Sequence, residues 1–453
     1  MKFIYADAMD VIDPLYDFLK DRNADTRIVH LDDEYPHEFL KRAPYDGILV
    51  SRGIVGDIYH QGKYSGSQMM RFHREGARKF LRYPEKKFPG SLVFGDCGAF
   101  TYRNEKVPPY TPDDTMEFYG NGRFTHGCSV DHIIFDFDEG KGRARKDMPQ
   151  AILDRFDLTL ALADEFYALG RREKGFTPVG VIQGWSATSM ARAADYLVRM
   201  GYTYLAVGGL VPLSVAQIHQ ALAAIRAAIP PRVRLHLLGF GKIENLTEFA
   251  RYGITSFDTT SPLIRAFKDA VKNYIARDED GELSYYTAIR VPQSRENNKL
   301  KAKAREGSLH QETALKLETV ALDAIRKYDA GKLSVEKALD YTLEYWKALN
   351  WTDKQSAATK ARAIKKQREV YRRTLVDRPW ENCECRVCQE GGIETLLFRT
   401  SNRNKRRGMH NLHVFYQHLL AYRSATHETA SISRIDPAAG AKRKGRVLRV
   451  SRV

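Results

Sequence analysis

The chain has 453 residues, 43% of them hydrophobic and 11% aromatic, which is enough apolar side chain for a sizeable packed core and excludes a disordered polyelectrolyte. No apolar run approaches the roughly 18 residues of a membrane span, and "MKFIYADAMD" turns acidic at once instead of opening an apolar leader, so a cytoplasmic, thiol-reducing setting without a membrane anchor is expected. The net charge of +16 is one-sided: residues 1–280 carry 37 basic and 37 acidic side chains, residues 281–453 carry 35 and 19. That asymmetry predicts a neutral part joined to a polyanion-binding part, with a solvated basic tail, "AKRKGRVLRVSRV", as the plainer reading of the last stretch.

In chain order, short apolar runs alternate with amphipathic stretches. "KFIYA" (2–6), "DGILVS" (46–51), "SLVFGD" (91–96), "HIIFDFD" (132–138), "PVGVIQG" (178–184), "YLAVGG" (204–209), "RLHLLGF" (234–240) and "ITSFDT" (254–259) read as buried parallel strands. Between them, 148–170, 186–201, 214–229 and 243–253 read as helices. This period predicts a (β/α)8 TIM barrel over 1–262, with an open doubly wound sheet as the alternative. The barrel explains more, because polar or glycine residues recur where the strands end: Asp96, Asp138, Gln183, Gly208, Gly209 and Asp258. Only a closed ring gathers so many strand ends at one mouth.

Residues 263–380 change character. "DEDGEL" and "VPQSRENNKLKAKAREGS" read as loops, and the basic sequence that follows (311–331, 334–350, 352–375) reads as helices, together a helical insertion. Residues 381–425 then form a candidate metal-binding subdomain with a C-terminal helix, and 426–453 a basic tail.

Cys383, Cys385 and Cys388 crowd three of the five cysteines into C-x-C-x2-C, and His410, His413 and His418 follow on a helical stretch. Three thiolates and one imidazole satisfy tetrahedral zinc, and four protein ligands close the site, so the expected ion is structural. Cys97 and Cys128 lie far away and read as barrel residues.

At the strand ends, Asp96 sits in "FGDCGAF", Asp138 follows Asp136 and precedes Glu139, and Asp258 ends "ITSFDTTSP". Paired carboxylates suit glycosidic-bond chemistry, one as nucleophile and one as general acid. Any single Asp is more simply a helix cap. Three acids with an amide and a Gly-Gly pair at one end point to a site. Gln183 and the 208–209 backbone suit the edge of a nucleobase, and Phe100 and Leu238 suit its two faces.

In order along 91–420, these residues resemble the tRNA-guanine transglycosylases, (β/α)8 enzymes with a zinc-binding subdomain. "GDCGAF", "FDE", "VIQG", "AVGGL", "LLGFGK", "GITSFD" and C-x-C-x2-C followed by "HN" each match a family segment. The resemblance implies base exchange through a covalent intermediate: Asp258 as nucleophile, Asp96 as general acid and then base, and Asp138, Gln183, Gly208 and Gly209 as base-binding groups. It further implies Phe100 and Leu238 as the stacking pair, and Cys383, Cys385, Cys388 and His410 as zinc ligands. Cys97 stands where the tRNA enzymes have Ser, and "TSPLIRAFKDAV" replaces the "PTR-x-GRNG" run that engages RNA. With the N-terminal "KFIYADAMDVIDP" and "DGILVSRGIVGD", these departures resemble the DpdA branch, the DNA-guanine transglycosylases of 7-deazaguanine DNA-modification systems. The expected substrates are then DNA, guanine and 7-cyano-7-deazaguanine (preQ0), with partner proteins from the same system. The alternatives are a tRNA-guanine transglycosylase and a catalytically silent nucleic-acid-binding homologue, the latter disfavoured because both Asp96 and Asp258 are present.

Overall fold

A computed structural model describes residues 1–138 and 144–435, with side chains through residue 425. Eight parallel strands close into a barrel in sequential order: β1 (Lys2–Ala6), β2 (Gly47–Ser51), β3 (Leu92–Asp96), β4 (His126–Cys128), β5 (Thr177–Ile182), β6 (Tyr204–Val207), β7 (Arg234–Leu237) and β8 (Ile254–Thr259). The ring closes where Ile4 registers with Asp258, so the open-sheet alternative is excluded. Ile4, Leu49, Phe94, Cys128, Val179, Val181, Tyr204 and Ala206 fill the interior. Side chains alternate along a strand, so the residues two steps beyond these, Asp96 after Phe94 and Gln183 after Val181, face the same axis at the mouth.

Seven strands fall where the apolar runs predict. The fourth does not: 132–138 is irregular, and the barrel strand is His126–Cys128. Its His-Gly-Cys sequence has little strand propensity. The fold selects it because Tyr119 packs across β3 and β4, and a Cβ at Gly127 would lie 2.4 Å from that ring. Close approach, rather than propensity, sets the strand.

Helices cover the barrel: α1 (Gly66–Glu75), α2 (Pro112–Gly122), α3 (Gln150–Gly170), α4 (Ala187–Met200), α5 (Val215–Ala228) and α6 (Ser261–Lys268). Several start on reciprocal caps, such as Thr111 with Asp114 and Ser214 with Gln217. The predicted helix at 243–253 is instead three single turns. Beyond α6 comes a hairpin, β9 (Tyr274–Arg277) with β10 (Leu283–Tyr286), turned through "DEDG". Then follow α7 (Asn298–Arg305), α8 (Gln311–Asp329), α9 (Val335–Asn350) and α10 (Ala357–Asp377). The helix α7 forms inside a stretch that reads as loop, because the Asn297 side chain caps it and Leu300 anchors it in the core. After α11 (Arg386–Gly391), the long α12 (Ser401–Ile435) packs on α6. No helix among the described residues is long and apolar enough to cross a membrane. Residues 436–453, most of the basic tail, lie outside the described residues, as does Glu139.

A candidate active site and an adjoining metal centre

Asp96 is the last residue of β3 and Asp258 the last but one of β8, at the same end of the barrel. Burial raises the Asp96 carboxyl above the usual carboxylate range; the Asp258 charge adds to this and a hydrogen bond from Ser51 opposes it. Asp96 Oδ2 accepts from the Gly98 amide at 3.2 Å. Asp258 is nearly buried, and its Oδ1 accepts from the Gly239 amide at 2.9 Å and faces His236 Nε2 at 3.1 Å.

A third acid, which the motifs do not single out, completes the site. Asp131, 3% exposed, follows the true β4 and accepts from Gln183 Nε2 at 2.7 Å and from Cys97 Sγ at 3.2 Å. Burial, then the nearby Asp96, push its carboxyl up to about 7. Gln183 is held from both ends, since its Oε1 accepts from the Ile134 amide at 3.2 Å. A Cβ at Gly208 would come within 2.3 Å of Gln183 Nε2, so only glycine lets the amide lie flat there. The acid expected beside Gln183 from "FDE" is Asp138, yet the one found there is Asp131. Asp138 is half-buried and its amide donates to the Trp185 carbonyl at 2.8 Å. The displaced strand causes the difference: moving β4 upstream brings Asp131 to the strand end. The available signal was the small-residue run Gly127, Cys128, Ser129 shortly before Asp131, which lets a strand lie against a helix.

Phe100 stands 58% exposed on the loop after β3, edge-on to Phe135 at 6.5 Å, with the Arg103 guanidinium 4.4 Å above its ring. Leu238 follows β7 and packs against the top of the barrel interior. Gly209 follows Gly208 in the loop after β6.

Beside the barrel, the donor atoms of Cys383, Cys385, Cys388 and His410 lie within 4.8 Å of one another. The three sulfurs are 3.5, 3.4 and 3.3 Å from His410 Nδ1. A zinc tetrahedron with ordinary bond lengths has a sulfur–nitrogen edge of about 3.6 Å. The donors therefore fit zinc. His410 Nε2 donates to the Ile275 carbonyl at 2.7 Å, which orients Nδ1 toward the thiolates, and Tyr274 stacks on the ring at 4.0 Å. His410 lies in the third turn of α12. His418 bonds the Gly281 carbonyl instead of joining the cluster.

The sequence comparisons fit this arrangement. No family model matches the chain. A DNA-guanine transglycosylase of Salmonella montevideo is 39% identical over 420 residues, 92% of this chain and 96% of the relative. Queuine tRNA-ribosyltransferases are similar over a shorter stretch: that of Mannheimia succiniciproducens is 33% identical and that of Aeromonas hydrophila 36%, each over 101 residues, 22% of this chain and 26% of theirs. Fold and homology together define a pentosyltransferase on a TIM barrel, of the guanine-transglycosylase class. Within the tRNA-guanine transglycosylase superfamily, the chain belongs to the family of the DNA-guanine transglycosylase.

Proposed function

We propose that the protein exchanges guanine in DNA for 7-cyano-7-deazaguanine (preQ0), as part of a 7-deazaguanine DNA-modification system. The observation that carries the reading is that Asp96 and Asp258 lie at the C-terminal ends of two parallel strands of one closed barrel, in a chain alike over nearly its whole length to a DNA-guanine transglycosylase. Both hydrogen bonds on Asp258 fall on Oδ1, which leaves Oδ2 to attack the anomeric carbon. The new C–O bond forms as the bond to the glycosidic nitrogen breaks, and the Asp96 proton neutralises the departing guanine. Burial raises Asp96 and so favours its acid form for this step. In the return step the Asp96 carboxylate takes the proton from the incoming base, whose nitrogen attacks the same carbon and releases Asp258. Two displacements return the sugar to its original configuration.

Asp131 takes the base-edge role that the motif order gives to Asp138, together with Gln183 and the Gly208–Gly209 backbone, while Phe100 and Leu238 cover the faces. Zinc held by Cys383, Cys385, Cys388 and His410 supplies structural order. Duplex DNA requires the target nucleotide to leave the stack, at a few kcal/mol. The basic insertion offsets this through phosphate contacts. Its exposed cations include Lys299 and Arg305 on α7, Lys316 on α8, Lys337 on α9, and Arg362, Lys365 and Lys366 on α10.

The test is incubation with labelled preQ0 and either plasmid DNA or tRNA. Label should enter the plasmid, and Asp258→Asn should abolish both exchange and the covalent adduct while binding DNA as before. Label in tRNA alone, or an active Asp258→Asn enzyme, would refute the assignment.

A further inference from the structure

Below the mouth, Asp258 caps a line of polar side chains that the two displacements leave unused. His236 is fully buried, with Nε2 3.1 Å from Asp258 Oδ1 and Nδ1 2.6 Å from Ser256 Oγ. Ser256 Oγ is in turn 2.6 Å from the Tyr204 hydroxyl. Three barrel strands, β6, β7 and β8, thus contribute one continuous chain through an interior whose other lining is mostly apolar. Each of these groups would cost about 1–3 kcal/mol if buried without a partner, so the line is retained for its bonding.

Its proton order follows from donor chemistry. A carboxylate only accepts, so Nε2 carries hydrogen and donates to Asp258. When the ring is neutral, Nδ1 accepts the proton of Ser256 Oγ. The Ser256 oxygen accepts in turn from Tyr204, whose phenol burial pushes up to about 12 and so keeps its proton. The ring plane is fixed as well: His236 stacks on Phe94 with centroids 4.8 Å apart and planes 19° apart, and His126 stacks at 4.7 Å on the same phenyl ring.

We infer that His236, oriented by Ser256 and Tyr204, is a positioning residue that locks the Asp258 carboxylate with Oδ2 toward the anomeric carbon. The inference rests on Asp258 being the nucleophile. With Gly239 N–H and His236 Nε2–H both on Oδ1, the carboxylate cannot rotate about its Cβ–Cγ bond without losing two hydrogen bonds. When Oδ2 bonds the sugar, Oδ1 becomes the carbonyl oxygen of the ester and still accepts from both donors. When the incoming base displaces the ester, the same donors receive the returning negative charge. The His236 proton stays on Nε2 throughout.

The decisive experiment substitutes His236 in the full-length protein and follows preQ0 exchange into plasmid DNA, along with formation of the trapped adduct. Glutamine can place an amide nitrogen near the Nε2 position, asparagine reaches only the Nδ1 side, and phenylalanine keeps the stacking surface alone. His236→Gln should stay within about tenfold of the parent, whereas His236→Asn and His236→Phe should lose about 10²-fold in kcat and in adduct formation, with KM for both substrates little changed. A packing role would instead leave phenylalanine the best tolerated. The inference is overturned if His236→Gln does no better than His236→Phe, or if the loss falls on KM. If His236→Phe fails to fold, as judged by zinc content and Tm, the glutamine–asparagine comparison decides alone. An inactive parent or an active Asp258→Asn enzyme would sink the functional proposal itself. A flat His236 series beside an inactive Asp258→Asn variant would sink only this one.

Discussion

At neutral pH the Asp131 carboxyl sits near its midpoint, because burial and the adjacent Asp96 push it up to about 7. In the unfolded chain an aspartate titrates near about 3.9. The folded state therefore binds more protons between these values, and this group's contribution to stability is full below about pH 4 and is lost as pH rises through about 7. Asp131→Asn removes the titration while keeping the size of the side chain. Its Tm relative to the parent should rise by about 2 °C or more between pH 5 and pH 8, in melts without nucleic acid or base. An equal Tm difference at both pH values would show that Asp131 is not a raised acid. The same residue marks the limit of motif reading. "FDE" directs attention to Asp138, and only the placement of a three-residue strand brings Asp131 to Gln183.

Among elements, α12 and α10 divide the basic excess in a way that composition hides. "RNKRR" near the start of α12 looks like a nucleic-acid patch, yet Arg403, Arg406 and Arg407 are 0%, 3% and 0% exposed. Arg403 bonds Asp21 and Glu394, Arg406 donates to the Asp13 and Pro14 carbonyls, and Arg407 donates to the Ala266, Thr395 and Leu397 carbonyls. These cations tie the N-terminal loop, residues 394–397 and α6 to α12, so they cannot serve phosphates. The helix α10 exposes Arg362, Lys365 and Lys366. Reversing these three to Glu should weaken DNA binding and make the slope of log affinity against log salt shallower by roughly 2–3 if each meets one phosphate, with Tm unchanged. An unaltered slope in a salt titration would move the DNA path off α10.

For the whole molecule, the Cys3His cluster brings distant parts of the chain together, and the zinc proposed for it would act as a clasp. Its four donors lie on the turn into α11 (Cys383, Cys385), in α11 (Cys388) and on α12 (His410), Tyr274 and Ile275 of β9 orient His410, and α12 packs on α6, which follows β8. Stripping zinc should therefore loosen more than the subdomain. Cys388→Ser should hold well under one zinc per chain and melt more than about 5 °C lower, with exchange activity falling in proportion to the folded fraction. A variant with little zinc and a parental Tm would show that the four residues hold no structural ion.

The barrel was legible in the sequence because buried parallel strands are near-continuous apolar runs, and seven of the eight announce themselves that way. The crowding of Cys383, Cys385 and Cys388 was also legible, whereas which of His410, His413 and His418 meets them needed the packing of α12, which brings His410 to the three sulfurs. Three things depended on tertiary packing. The fourth strand is chosen by the fit of Gly127 under Tyr119, a long-range contact with no local periodicity. The acid beside Gln183 follows from that choice. The fate of each cation depends on whether a carboxylate or carbonyl from elsewhere in the chain meets it, as Asp21 and Glu394 meet Arg403, and net charge carries no such information.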